Sequence, residues 1–201
     1  MSGRHRRADS RSTEAGMTLI ELLVYMVLAV VVLLVVGGLL INSLSSERTV
    51  RNATQASNAG QLVAQSVAQG VRNASALKIT VPSSGTELLT VRTASLTSPL
   101  TWSCQAWFFG GGEVRTTRSS SLITSTPAAI ATWTLLGTGM QRVSTGTVFT
   151  PIPAVNSRGV TLNLDVSTVN GQPVRISTSS TSLQPLPVPV PVTGLVGSPC
   201  F

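Results

Sequence analysis

Glu21 stands five residues after Gly16, in the run Gly16-Met17-Thr18-Leu19-Ile20-Glu21-Leu22-Leu23. It is a lone carboxylate at the mouth of a long apolar stretch. An ionisable group so close to hydrocarbon is costly to keep and marks a functional site by default. Other chemistry is scarce. The single histidine, His5, precedes Gly16, so the chain beyond that glycine lacks Ser-His and Cys-His nucleophile pairs and the commonest metal ligand. Five acids follow Gly16: Glu21, Glu47, Glu87, Glu113 and Asp165. No two lie close in sequence, so a carboxylate pair for acid–base work would have to form in space. Cys104 and Cys200 are not in a C-x-x-C pattern, which argues against a zinc knuckle or a thioredoxin-type pair. Gly110-Gly111-Gly112 precedes a strand pattern and not a helix, so it reads as a turn and no phosphate cradle. Trp102, Trp107, Phe108, Phe109 and Trp133 could stack on single-stranded DNA beside Arg115 and Arg118. Aromatics on alternating strand faces are more often core, and core is the expectation, with DNA as a weakly supported partner. No enzymatic activity, metal or cofactor is expected.

The element that carries Glu21 is the apolar run. From Leu22 to Ile41 twenty residues pass without a formal charge. At about 1.5 Å rise per residue that is roughly 30 Å of helix, the thickness of a bilayer's hydrocarbon core. A cleaved secretory signal would show an apolar region of about 7–15 residues and a small-residue cleavage site. Here the run is longer, and Gly37-Gly38-Leu39-Leu40-Ile41-Asn42 offers no A-x-A site. A plain signal anchor explains the length and the arginines before it, but not a glutamate five residues after a glycine.

Gly16-Met17-Thr18-Leu19-Ile20-Glu21-Leu22-Leu23 resembles the class III signal of type IV prepilins and type II secretion pseudoprepilins. The resemblance covers about 25 residues. It implies that a membrane prepilin peptidase cuts between Gly16 and Met17 and methylates the new amine of Met17, and that Glu21 is the retained acid. The family usually has Phe after the cut, and Met17 departs from that. The resemblance further implies that the Glu21 carboxylate of one subunit pairs with the terminal amine of a neighbour in a staggered helical bundle. An unpaired charge in hydrocarbon is costly and a paired one is tolerated, so assembly is favoured where pairing is possible. Arg4, Arg6, Arg7 and Arg11 outnumber Asp9 and Glu14 before the cut and hold that end on the cytoplasmic side by the positive-inside tendency. The chain after the apolar run is then extracytoplasmic. That side is oxidising enough for disulfides to persist, so a Cys104–Cys200 bridge is expected, the alternative being two unpaired thiols.

Beyond the apolar run, residues 42–78 read as a continuation of the helix. Val50, Ala53, Ser57, Gly60, Ala64, Val67, Val71 and Ala74 recur at three and four residues, a narrow stripe expected to pack on the protein's own sheet. Gly37-Gly38, Gly60 and Gly70 each weaken a helix by about 1 kcal/mol, so bending or local melting is expected there. From residue 79 to 201 the pattern is β-rich. Leu77–Val81 and Glu87–Arg92 flank a turn at Pro82-Ser83-Ser84-Gly85, and Thr101–Phe109 leads through the three glycines into Glu113–Thr116. Ile130–Leu136, Gln141–Phe149, Val160–Ser167 and Val174–Ser179 look like further strands, with a turn at Asn170-Gly171-Gln172-Pro173. Pro185, Pro187, Pro189 and Pro191 bar a central strand and predict an extended tail.

The expected fold is α+β and pilin-like: a long N-terminal helix, membrane-spanning over 17–41, packed on an antiparallel sheet domain. Val71-Arg72-Asn73-Ala74, the hairpin after it and Trp107-Phe108-Phe109-Gly110 are similar to PilW-type minor pilins and J-type pseudopilins. The implied function is a structural subunit of a type IV pilus or a type II secretion-like filament. The implied partners are the prepilin peptidase, other pilin or pseudopilin subunits and the cytoplasmic membrane. The rivals are a subunit specialised for DNA uptake or adhesion, and a signal-anchored extracytoplasmic binding protein that never polymerises. Net charge is +7, with charged residues only 10% of the chain, so the basic balance reflects scarce acids more than a run of like charge.

Overall fold

A computed structural model of the protein describes residues 18–94, 102–152, 158–169, 171–184 and 200. The chain forms two compact units, Met1–Glu47 and Arg48–Phe201.

The described part of the first unit is helical and belongs to α1 (Leu19–Arg72). Thr18 starts the helix. Its carbonyl accepts the Leu22 N–H at 3.2 Å and its Oγ1 accepts the Glu21 N–H at 3.4 Å. The side chain thereby satisfies one of the amides that every helix start leaves without an intrahelical partner. The large apolar side chains from Leu19 to Leu44 are exposed. This is one helix long and apolar enough to cross a membrane. A helix is the form such a segment needs, because hydrocarbon offers no partner for free backbone groups.

The second unit is α+β and its strands are all antiparallel. β1 (Ala74–Thr80), β2 (Glu87–Ala94), β3 (Trp102–Gly110), β4 (Glu113–Ser119) and β5 (Thr134–Thr138) form a five-stranded sheet in sequence order. In the second sheet β8 (Gly159–Val166) pairs with β6 (Met140–Arg142), β7 (Phe149–Pro151) and β9 (Val174–Thr181). A short α2 (Pro127–Ala131) lies between β4 and β5, started by Thr126, whose side chain accepts the Ala129 N–H.

The core follows from two periodicities. Along α1, Ala56, Gly60, Val63, Val67, Gly70 and Val71 are buried at helical spacing. They share one core with Leu89, Val91, Trp107 and Phe109 of the first sheet and Val160, Leu162, Leu164 and Val166 of β8, which alternate along their strands. The opposite face of the first sheet is covered by the β4–β5 connection. Ile123, Ile130 and Trp133 pack there on Leu88, Ala106 and Phe108.

The helix is continuous through all four glycines of the 37–70 stretch. Two of them are packing devices. A Cβ at Gly70 would lie 2.0 Å from Trp107 Cη2, and one at Gly60 would lie 2.5 Å from Ile176 Cγ1. The absent side chain lets the helix backbone approach both sheets.

Several expectations are corrected. The helix ends at Arg72, not at residue 77 or 78, because Ala74–Thr80 pairs with β2 from Ala74↔Thr93 onward. The buried stripe keeps Gly60, Val67, Val71 and Ala74 of the expected set and adds Ala56, Val63 and Gly70. Val50 is 65% exposed, while Ala56 and Val63 are buried. Ile130–Leu136 divides into the end of α2 and β5, separated by Thr132 and Trp133. Gln141–Phe149 divides into β6 and β7, with Ser144 at a φ of 55° in the turn between them. The expected turn at residues 110–112 is present, with Gly111 and Gly112 at positive φ. Asn170 and the proline-rich tail, residues 185–192, lie outside the described residues.

Candidate functional site

Gly16 and Met17 lie outside the described residues, so the site as described begins at Thr18. Glu21 is the third residue of α1, in its first turn. A carboxylate there faces the positive end of the helix dipole, which stabilises it. Thr18 and Glu21 have the S/T-x-x-E spacing of a capping box. Sequence reasoning missed this signal, which marks Thr18 as the residue that starts the helix. The Thr18 half of the box is formed, through the Glu21 N–H. Further along the helix, Ile20, Leu23, Val24, Val27, Leu28, Val31 and Val32 form one exposed, wholly apolar stripe. The described part of the first unit thus places Glu21 beside a continuous apolar helical surface. That arrangement suits lateral association of helices in hydrocarbon, where close packing of such surfaces supplies the attraction.

In the second unit Cys104 and Cys200 are joined, with Cα atoms 5.4 Å apart. Cys104 is on β3 and both residues are buried, so the bond ties the chain's penultimate residue to the middle of the first sheet. Of the other four acids, three face arginines at hydrogen-bond distance and Glu47 also has a partner. Glu87 is buried at the start of β2. Its Oε1 accepts the Val148 N–H at 3.0 Å and the Arg142 Nη2–H at 2.9 Å, and its Oε2 accepts the Phe149 N–H at 2.8 Å. This acid bolts the first sheet to β6 and to the start of β7. Sequence reasoning missed it, since nothing local marks one glutamate among five as the buried one. Arg175 on β9 has its pKa raised, first by its hydrogen bonds to Asp165 and then by that residue's charge.

The aromatic set divides. Trp107, Phe109 and Trp133 are buried, and Phe108 packs against the second cluster. Trp107 donates its Nε1–H to Ser66 Oγ of α1 at 2.9 Å. Arg115 is engaged by Glu113 at 2.8 Å and donates to the carbonyls of Ala131 and Trp133. Arg118 donates to Gln105 Oε1 at 2.9 Å. Trp102 alone of the five is exposed, at 44%. Among the described residues no three His, Cys, Asp or Glu side chains come together as a metal site would require.

Fold and site define an α+β protein with one N-terminal helix long and apolar enough to cross a membrane and a disulfide-closed antiparallel β domain. Comparison with protein-family models, with curated proteins and with solved structures finds no match.

Proposed function

We propose that the protein is a minor pilin or pseudopilin, a structural subunit of a type IV pilus or type II secretion-like filament. The observation that carries the proposal is the lone acid, Glu21, in the first turn of an apolar helix, five residues after Gly16. The prepilin peptidase removes residues 1–16 and methylates Met17. The apolar helix holds the subunit in the cytoplasmic membrane, with the β domain on the far side. Glu21 then pairs with the terminal amine of a neighbouring subunit, and the apolar stripe beside it packs against that neighbour's helix. The α+β fold supports the same reading, since a helix long and apolar enough to cross a membrane would serve both membrane storage and bundling.

The test is an intact mass measurement on the protein extracted from its native membrane. A chain beginning at methylated Met17 is expected. A chain that retains Met1–Gly16 would replace the proposal with a signal-anchored extracytoplasmic protein. Gly16→Asp is expected to block the cut, because the peptidase must approach the backbone closely at a residue without a side chain. Normal-sized mature protein from that variant would remove the cut site from the argument.

A further inference from the structure

We propose that the second unit carries a binding site for single-stranded DNA at the corner where α1 ends, β1 begins and β2 and β9 terminate. The proposal does not depend on the filament reading. From Arg48 onward the chain has ten Lys and Arg residues against three acids, Glu87, Glu113 and Asp165. Each of those acids is engaged internally, by Arg142, Arg115 and Arg175 respectively. None lies at this corner: Glu87 starts β2, Glu113 starts β4 and Asp165 pairs with Arg175 near the start of β9.

Four cations gather there without a carboxylate partner among the described residues. Arg72 is the last residue of α1, and its carbonyl accepts the Leu183 N–H at 2.9 Å. Arg92, near the end of β2, donates its Nε–H to Ser75 Oγ at 2.9 Å. Arg158 donates to the Ser75 carbonyl at 2.5 Å and also to the Gln184 carbonyl. Lys78 is exposed on β1, opposite Thr90, and so sits on the same face as Arg92, which is opposite Ala76. Hydroxyls and carbonyls orient these groups, and no carboxylate among the described residues compensates their charge.

Beside them is the exposed aromatic. The Arg92 guanidinium carbon lies 4.4 Å from the centroid of the Trp102 ring. Trp102 belongs to neither core cluster and keeps 44% of its surface in solvent. An indole held by a guanidinium and flanked by uncompensated cations has the two features that bind single strands: a platform for a base and positive charge along the backbone. A duplex keeps its base faces stacked on one another and cannot use the platform. This set is distinct from the aromatic run around Trp107, which is consumed by the core.

The test uses the full chain in detergent micelles and a fluorescein-labelled, mixed-sequence single-stranded oligonucleotide, followed by fluorescence anisotropy over a range of salt. With four phosphate contacts, the log–log slope of affinity against salt is expected near about −2.8. Trp102→Ala is expected to weaken binding about tenfold with the slope unchanged, as loss of one stacked base would. Arg72→Gln with Lys78→Gln should lower the magnitude of the slope by about 1.4. Arg118→Gln, on the helix-facing side of the sheet, should change neither value beyond the loss of general charge. All of the corner positions substituted are exposed, and Trp102→Leu, which keeps apolar bulk without a ring face, provides a second variant should the alanine disturb folding. Three results each overturn the proposal: no binding by the wild type at low salt, wild-type affinity in both Trp102 variants, or equal affinity for a duplex of the same sequence. Leader processing does not enter the measurement, so its outcome and that of the mass experiment are separate.

Discussion

Gly70→Ala is the substitution for which helix propensity and tertiary packing predict opposite signs. In an isolated helix, alanine is favoured over glycine by about 1 kcal/mol. At position 70 the new Cβ would lie 2.0 Å from Trp107 Cη2 and 2.7 Å from Cζ2. Ordinary carbon–carbon contact is about 3.5–4 Å, so the indole or the helix must move by more than 1 Å. Trp107 is 0% exposed and its Nε1–H is tied to Ser66, on the same helix, so its ring has nowhere to swing. Overpacking of this kind costs about 1–3 kcal/mol, occasionally more, and a fixed ring puts the cost at the upper end. The net expectation is destabilisation by about 2 kcal/mol, relative to the gain of about 1 that propensity alone predicts. For a unit of this size that is a fall in Tm of about 4–8 °C. The assay is thermal unfolding of the detergent-solubilised chain, followed by near-ultraviolet circular dichroism of the buried tryptophans. Repeating the substitution in a Trp107→Phe background removes the ring atoms that collide, and there Gly70→Ala should become neutral or mildly stabilising. A Tm at or above wild type for Gly70→Ala, or a loss that ignores residue 107, would refute the claim that Gly70 is there for close approach.

Glu21→Leu should leave membrane levels and leader removal near wild type, because an apolar residue is cheaper in hydrocarbon than an acid. On the proposed function, its recovery in crosslinks with other filament subunits should fall, and wild-type recovery at matched membrane levels would end the proposed assembly role. Glu87→Gln replaces a carboxylate that accepts from Val148, Phe149 and Arg142 with a group that has one acceptor oxygen and a competing donor. Breaking a buried pair costs about 3–5 kcal/mol, and the 30% exposure of the Arg142 side chain lowers the expectation to about 2–4. A urea midpoint unchanged from wild type would show that the two sheets do not depend on this bolt. Cys104→Ala with Cys200→Ala opens a loop with a sequence separation of 96 and should cost about 3–5 kcal/mol in the same titration. In the wild type taken from its native cells, non-reducing peptide mapping should recover the two cysteines as one linked pair, and free thiols on both would contradict the bridge.

The sequence by itself determined the features that depend on near neighbours. A charge-free run of 20 residues behind Glu21 dictates a helix suited to hydrocarbon whatever follows it. Alternation at Glu87–Arg92, at Val160–Ser167 and around Trp107 dictates strands, and the glycines at 85, 111 and 112 dictate the turns that need positive φ. Even the Thr18 cap was written locally. The Cys104–Cys200 bond was expected from compartment and count, although only the fold shows the Cα atoms 5.4 Å apart. What sequence could not decide are properties of pairs distant along the chain. The helix stripe was legible at Gly60, Val67 and Val71 but not in its width, because small residues surround the helix and the sheets choose which ones they cover: Ala56 and Val63 as well, and not Val50. The stop at Arg72 is set by β2, which captures Ala74–Thr80 into the ladder although those residues also suit a helix. Among five acids, only the docking of β6 and β7 decides that Glu87 is the buried one. Among five aromatics, only the packing of the first sheet decides that Trp102 is the exposed one, beside Arg92. Local periodicity sets which faces a segment has, while sheet register and helix docking, which close over tens of residues, set what each face meets.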